Sequence, residues 1–167
     1  VIGGKIQGAD FSMMGKVLKD TCRQMWKTVV TIMSIMAMAK IMSHSGMIAE
    51  IAGMMVAWTG SFYPAAAPFV GAIGTFVTGS GTSANVLFGG LQVETAGSLG
   101  LDPSWLAGAN TVGATIGKMI SPQSIAIGTA ATASVGSESK ILRKVIRYCV
   151  LFIIIAGFVA YVGSRFA

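Results

Sequence analysis

From Ile51 to Val93 the chain carries no acidic, basic or histidine residue. A water-soluble domain does not normally leave so long a stretch uncharged, because every amphipathic element must turn part of its surface to water. Composition agrees: 53% of the 167 residues are hydrophobic and 11% are charged, where an ordinary soluble domain carries about 25% charged residues. A second uncharged run, Tyr148–Ser164, comes close to the roughly 20 apolar residues that cross a bilayer as a helix. These features predict an all-α integral membrane protein.

The net charge of +6 would point to a polyanion in a soluble protein. Here the basic residues form two clusters, Lys16/Lys19/Arg23/Lys27 and Lys140/Arg143/Lys144/Arg147, each beside an apolar run. The positive-inside rule accounts for that placement, so the expected partner is the lipid bilayer and no nucleic acid. Cys22 and Cys149 are far apart and neither belongs to a CxxC pair, so neither a disulfide nor a metal site is expected. No Ser/His/Asp set, carboxylate pair or Cys/His cluster stands out, which predicts no catalytic residue, no metal and no cofactor. The apolar runs are internal, so no cleavable signal peptide is expected. A first residue of Val rather than Met suggests a piece of something longer.

The chain divides at Lys27. Within residues 1–27, Val1–Asp10 reads as loop, and Phe11, Met14, Val17/Leu18, Cys22 and Met25/Trp26 recur at helical spacing. Such a helix fits either the membrane interface or a cytoplasmic loop packed on protein. Residues 28–167 read as a C-terminal transmembrane domain. Its spans are expected at about 28–44, ended by His44-Ser45-Gly46, at 104–134 and at 148–164. If both basic clusters face the cytoplasm, an even number of crossings must separate them, and the first two spans supply it. Residues 47–60, which contain Glu50, are then expected to lie along the outer surface. Residues 64–92 must enter and leave by one face, as a re-entrant hairpin. Pro64 and Pro68 open this hairpin, Gly71 and Gly74 allow close packing, and Thr78–Asn85 form a polar centre. Its arms are expected to be about ten residues each, too short to span. Irregular backbone at that depth is tolerated only against protein or a water-filled cavity.

The 104–134 segment is interrupted at Ser121-Pro122-Gln123-Ser124. Proline removes a backbone donor and crowds the preceding turn, so the helix should break there. Ala109, Gly113 and Gly117 have the small-xxx-small spacing that lets another helix approach closely. Lys118 stands in this apolar segment just before the break, and an ionisable group there points to function. Its ammonium would offset a substrate carboxylate. Ser80, Thr82, Ser83 and Asn85 in the hairpin, with Asn110, Ser121, Gln123 and Ser124 in the broken segment, would supply uncharged polar contacts. Paired interrupted segments are the pointer to a transporter's binding site. Gly79-Ser80-Gly81-Thr82-Ser83-Ala84 fits G-x-G-x-x-A, but no soluble βαβ unit surrounds it. Gly117-Lys118 is no phosphate loop, since Val112 and Met119 occupy its Gly and Ser/Thr positions. His44 reads as interfacial, and the eleven methionines read as packing.

The run Thr78-Gly79-Ser80-Gly81-Thr82-Ser83-Ala84-Asn85-Val86-Leu87-Phe88-Gly89 resembles the L-lactate permease family. So do Ala109-Asn110-Thr111-Val112-Gly113 and the run from Gly117-Lys118-Met119 through Ser121-Pro122-Gln123-Ser124 to Ile127. The resemblance extends from about Val17 to the C-terminus. It implies secondary active transport of lactate or glycolate, coupled to protons, in a bacterial cytoplasmic (inner) membrane. It also implies that this chain is one half of an inverted-repeat carrier, each half with a hairpin and a broken helix. Assembly into a homo-oligomer is compatible with the sequence. Family members often carry Asp where this chain has Gly81. If that acid couples protons or selects substrate, this chain uses another group or differs in ion or substrate. The alternatives are an ion-coupled carrier of another carboxylate, or a structural or pore-forming membrane module.

Overall fold

The computed structural model describes residue 8, residues 10–132 and residues 136–166. The expected loop at the N-terminus, residues 8 and 10 apart, and the last two positions of the 104–134 span lie outside the described residues. So does the side chain of Lys27, expected as an interfacial anchor. Every regular element among the described residues is helical: α1 Phe11–His44, α2 Met47–Thr59, a 3-10 turn Gly60–Phe62, α3 Tyr63–Thr78, α4 Gly81–Leu99, α5 Pro103–Gly117, α6 Pro122–Ala131 and α7 Glu138–Gly163. The chain forms two compact units, Val1–Ile35 and Met36–Ala167.

In the first unit, Val17, Leu18 and Trp26 of α1 are exposed, as are Lys16, Lys19 and Arg23. The helix runs through positions 27 and 28 without a break, because no Pro or Gly interrupts it between Lys16 and His44. The boundary expected at Lys27 therefore has no mark in the secondary structure.

The second unit is built on α3 and α5. A β-carbon at Gly113 would meet the backbone of Pro68, one at Gly117 the backbone of Ala72, and one at Gly71 the backbone of Asn110. Contacts that advance together along both helices mean that α3 and α5 run parallel. The small-residue stripe thus lets two backbones touch, as its spacing predicts. On one flank α4 returns antiparallel, packing on both helices. On the other lies α7, also antiparallel: Cys149 Sγ reaches the carbonyl of Ile116 at 3.8 Å, and Trp105 Nε1 donates to the carbonyl of Ala160 at 2.9 Å. Tyr63, Ala67, Leu106, Ala109 and Ala160 close the apolar core between them. Ile48 and Ala52 of α2 pack on Leu91 of α4.

Several lengths differ from expectation. The hairpin arms are 16 and 19 residues long, not about ten, because nothing breaks the helix between Asn85 and Gly100 and because Pro64 sits in the first turn, where its missing donor is not needed. Only Gly79 and Ser80 form the turn; Gly81–Asn85 is already helix. The last helix begins at Glu138, since the basic cluster is itself helical, and it is the one element among the described residues long and apolar enough to cross a membrane by length and composition. The break in the penultimate segment starts at Lys118, earlier than Pro122 alone implies. Tightened bonds from Met119 to Ile116 at 3.0 Å and from Ile120 to Gly117 at 3.2 Å wind α5 down before the proline.

Candidate functional site

Because α3 and α5 run parallel in close register, the hairpin turn after α3 comes level with the break after α5. The contact is direct: the side chain of Gln123 occupies the space that a β-carbon on Gly79 would fill. Gly79 has φ of 71°, a left-handed conformation that glycine adopts at little expense. Its amide donates to the carbonyl of Thr75 at 2.7 Å. Thr78 Oγ1 donates to the carbonyl of Gly74 at 2.8 Å and accepts from the Ser80 amide at 3.3 Å. Ser80 then caps α4, its Oγ accepting from the Ser83 amide at 3.3 Å.

Two helices therefore begin beside each other. The opening amides of α4, at Gly81 and Thr82, have no carbonyl one turn earlier to accept them, nor have those of α6 at Gln123 and Ser124. Helix N-termini carry partial positive charge and suit an anion. Close by in the same register, Thr75 and Ser121 are fully buried, and their Oγ1 and Oγ have no hydrogen-bond partner among the described residues. A buried hydroxyl without a partner is uncommon and calls for a reason.

The residues expected to form the site separate into three groups. Ser80, Ser83 and Thr82 lie at the start of α4, with Ser83 buried and Thr82 exposed; Gln123 meets this turn from the other segment, and Ser121 is buried two residues before it. Asn85 and Asn110 are joined, Asn110 Nδ2 donating to Asn85 Oδ1 at 2.8 Å. Lys118 and Ser124 line a separate cleft of about 340 Å³ with Ile125, Thr129 and Ile141. Lys118 is exposed on this chain rather than enclosed by it, because the turn after Gly117 carries it away from the α3 contact. It forms no ion pair with a described residue.

Two polar residues escaped the sequence reading. Gln92 donates from Nε2 to Asn110 Oδ1 at 3.1 Å, and its Oε1 accepts from the Tyr63 hydroxyl at 3.0 Å. Gln92 lies seven residues after Asn85, hence on the same helical face; that spacing in an uncharged run was the available signal. A larger cleft of about 530 Å³, lined by Trp105, Val112, Ile116, Phe152 and Ile155 among others, is apolar and offers a carboxylate little.

A family model described as L-lactate permease matches residues 1–166. The L-lactate permease of Streptococcus iniae is 53% identical over 106 residues, which are 64% of this chain and 22% of that protein. That of Bacillus subtilis is 40% identical over 147 residues, 88% of this chain and 26% of that protein. The glycolate permease of Escherichia coli K12 is 39% identical over 143 residues, 86% of this chain and 25% of that protein. The chain thus spans about a quarter of the length of the curated relatives it matches. No solved structure matches it.

Proposed function

The chain belongs to the L-lactate permease family, and from that premise we propose that it forms part of a secondary carrier for a small 2-hydroxy monocarboxylate. Lactate or glycolate is the substrate, protons are the coupling ion, and the setting is a bacterial cytoplasmic membrane. The names of the relatives, lactate and glycolate permeases, favour that substrate class. The observation that carries the reading is the contact of Gln123 with Gly79, by which the hairpin turn meets the helix break.

In this reading the carboxylate sits between the opening turns of α4 and α6. Backbone amides at Gly81, Thr82, Gln123 and Ser124 face its oxygens, and Ser80, Ser83, Asn85 and Asn110 complete the polar wall. The buried hydroxyls of Thr75 and Ser121 take the 2-hydroxyl or an ion. Lys118, at the mouth of the neighbouring cleft with Ser124, raises the local potential for a single negative charge and contacts the anion on its way in or out. Residues 64–92 act as the re-entrant arm, and α7 anchors the unit across the bilayer.

The test is substrate-dependent proton movement in proteoliposomes made with the complete protein. Saturable lactate uptake that collapses with the proton gradient supports the carrier; linear, gradient-independent flux would make it a pore. Competition by a panel of carboxylates reads the substrate class. Replacing Lys118 with Met should remove most uptake and leave membrane insertion intact, whereas normal uptake by that variant ends the role given to Lys118.

A further inference from the structure

We propose that Gln92 and Tyr63 are positioning residues that fix which end of the Asn85 amide faces the substrate; the proposal rests on the carrier reading above. Three amides and a phenol form one hydrogen-bonded ladder across α3, α4 and α5. The Tyr63 hydroxyl donates to Gln92 Oε1 at 3.0 Å, Gln92 Nε2 to Asn110 Oδ1 at 3.1 Å, and Asn110 Nδ2 to Asn85 Oδ1 at 2.8 Å. Tyr63 and Gln92 are 0% exposed and Asn110 is 1% exposed. Asn85 is half-buried and ends the ladder one turn from the hairpin tip.

An amide has a donating and an accepting end. In a buried series all must point the same way, because two facing oxygens or two facing NH2 groups would leave polar atoms unpaired at about 1–3 kcal/mol each. Membrane interiors offer no water to repair such a mismatch. The end that Asn85 presents is therefore coupled to the orientation of Gln92, through Asn110. In the present order Asn85 Oδ1 is occupied and its Nδ2 donates to no described residue. A free NH2 donor attracts a carboxylate or hydroxyl oxygen. Reversing the ladder would present Oδ1 instead, which repels both oxygens of an ionised acid.

Gln92→Glu makes the order titratable. Protonated, the new carboxyl accepts from Tyr63 and donates to Asn110 Oδ1, keeping the native direction. Ionised, it only accepts, so Asn110 must turn its NH2 toward position 92 and Asn85 must turn its oxygen toward the substrate. Tyr63 of α3 and Asn110 of α5 face position 92 from the packed helices, while Glu94 on α4 is exposed.

The experiment measures lactate KM and kcat for wild type and Gln92→Glu in the complete permease in proteoliposomes, from about pH 5 to about pH 9. The ratio of variant to wild-type KM should lie near one at the acid end and rise about tenfold as the new carboxyl ionises, a change of the size expected when a hydrogen bond to a charged oxygen is lost. The kcat ratio should change less. A KM ratio that does not vary with pH overturns the proposal. Should Gln92→Glu fail to insert, Tyr63→Phe removes the ladder's first donor and should raise the lactate KM several-fold in a folded carrier; an unchanged KM there overturns the proposal equally. Absence of saturable lactate uptake by the wild type would sink the carrier reading itself, and the ladder's role with it.

Discussion

Gln123 places its side chain in the space that a β-carbon on Gly79 would occupy. Through that pair the first arm of the hairpin and the second half of the broken helix share one point in space. Two sequence interruptions separated by two whole helices, α4 and α5, become neighbours, and the parallel packing of α3 on α5 is what puts them level.

Gly79→Ala should therefore suffer twice. A β-carbon at φ of 71° costs about 1–2 kcal/mol by itself, and the added methyl displaces Gln123. Gln123→Ala in the same molecule relieves the second effect and not the first. Thermal unfolding in detergent should rank wild type above the double variant, and the double variant above Gly79→Ala. A double variant that melts no higher than Gly79→Ala would mean the turn and the break do not touch.

Gly113→Ala and Gly108→Ala, on the same helix, should differ in sign. The added carbon at Gly113 runs into the Pro68 backbone, which cannot move aside as a flexible side chain can; at Gly108 nothing lies within 4 Å. Overpacking of this kind costs about 1–3 kcal/mol, while alanine in an open helical position gains up to about 1 kcal/mol over glycine. Melting temperatures of the purified proteins check this. Equal effects at the two sites would deny the close approach of α3 and α5.

Cysteine accessibility tests both the packing and the orientation. Cys22 is exposed and Cys149 is buried, the latter with its thiol 3.8 Å from the Ile116 carbonyl. A membrane-impermeant maleimide should label Cys22 from the side that holds the basic clusters, which positive-inside reasoning assigns to the cytoplasm. Cys149 should react only after denaturation. Fast labelling of Cys22 from outside the cell would reverse the assigned topology.

The legible parts of this fold were those set by local chemistry. Pro122 announces its break, His44-Ser45-Gly46 ends α1, and Ala109/Gly113/Gly117 marks the contact stripe, because each acts through its own backbone or size. Arm length is not legible, because the polar run Thr78–Asn85 looks like a loop from composition, whereas Ser80 caps a helix that starts at once. The ladder stayed hidden for another reason: Tyr63, Gln92 and Asn110 lie on three helices, and only the register between them reveals the partnership. Lys118 has apolar neighbours in sequence, yet it follows the last residue of α5 and is exposed on this chain. At Gly81 a β-carbon would meet only Ala114 Cβ, at 4.0 Å.

Ser121→Ala separates a binding hydroxyl from a packing accident. The Ser121 Oγ is fully buried and unpartnered, a condition that costs about 1–3 kcal/mol relative to a satisfied or absent hydroxyl. Removing it should stabilise the empty protein, raising its melting temperature by about 2–4 °C for each kcal/mol recovered. If substrate or a coupling ion supplies the missing partner, the same change must weaken the loaded state, so the extra stabilisation produced by saturating lactate should shrink and uptake should fall. Thr75→Val, which keeps the shape and drops the hydroxyl, should behave alike. A variant that is more stable and transports normally, with an unchanged response to lactate, would show that these hydroxyls meet nothing that is carried.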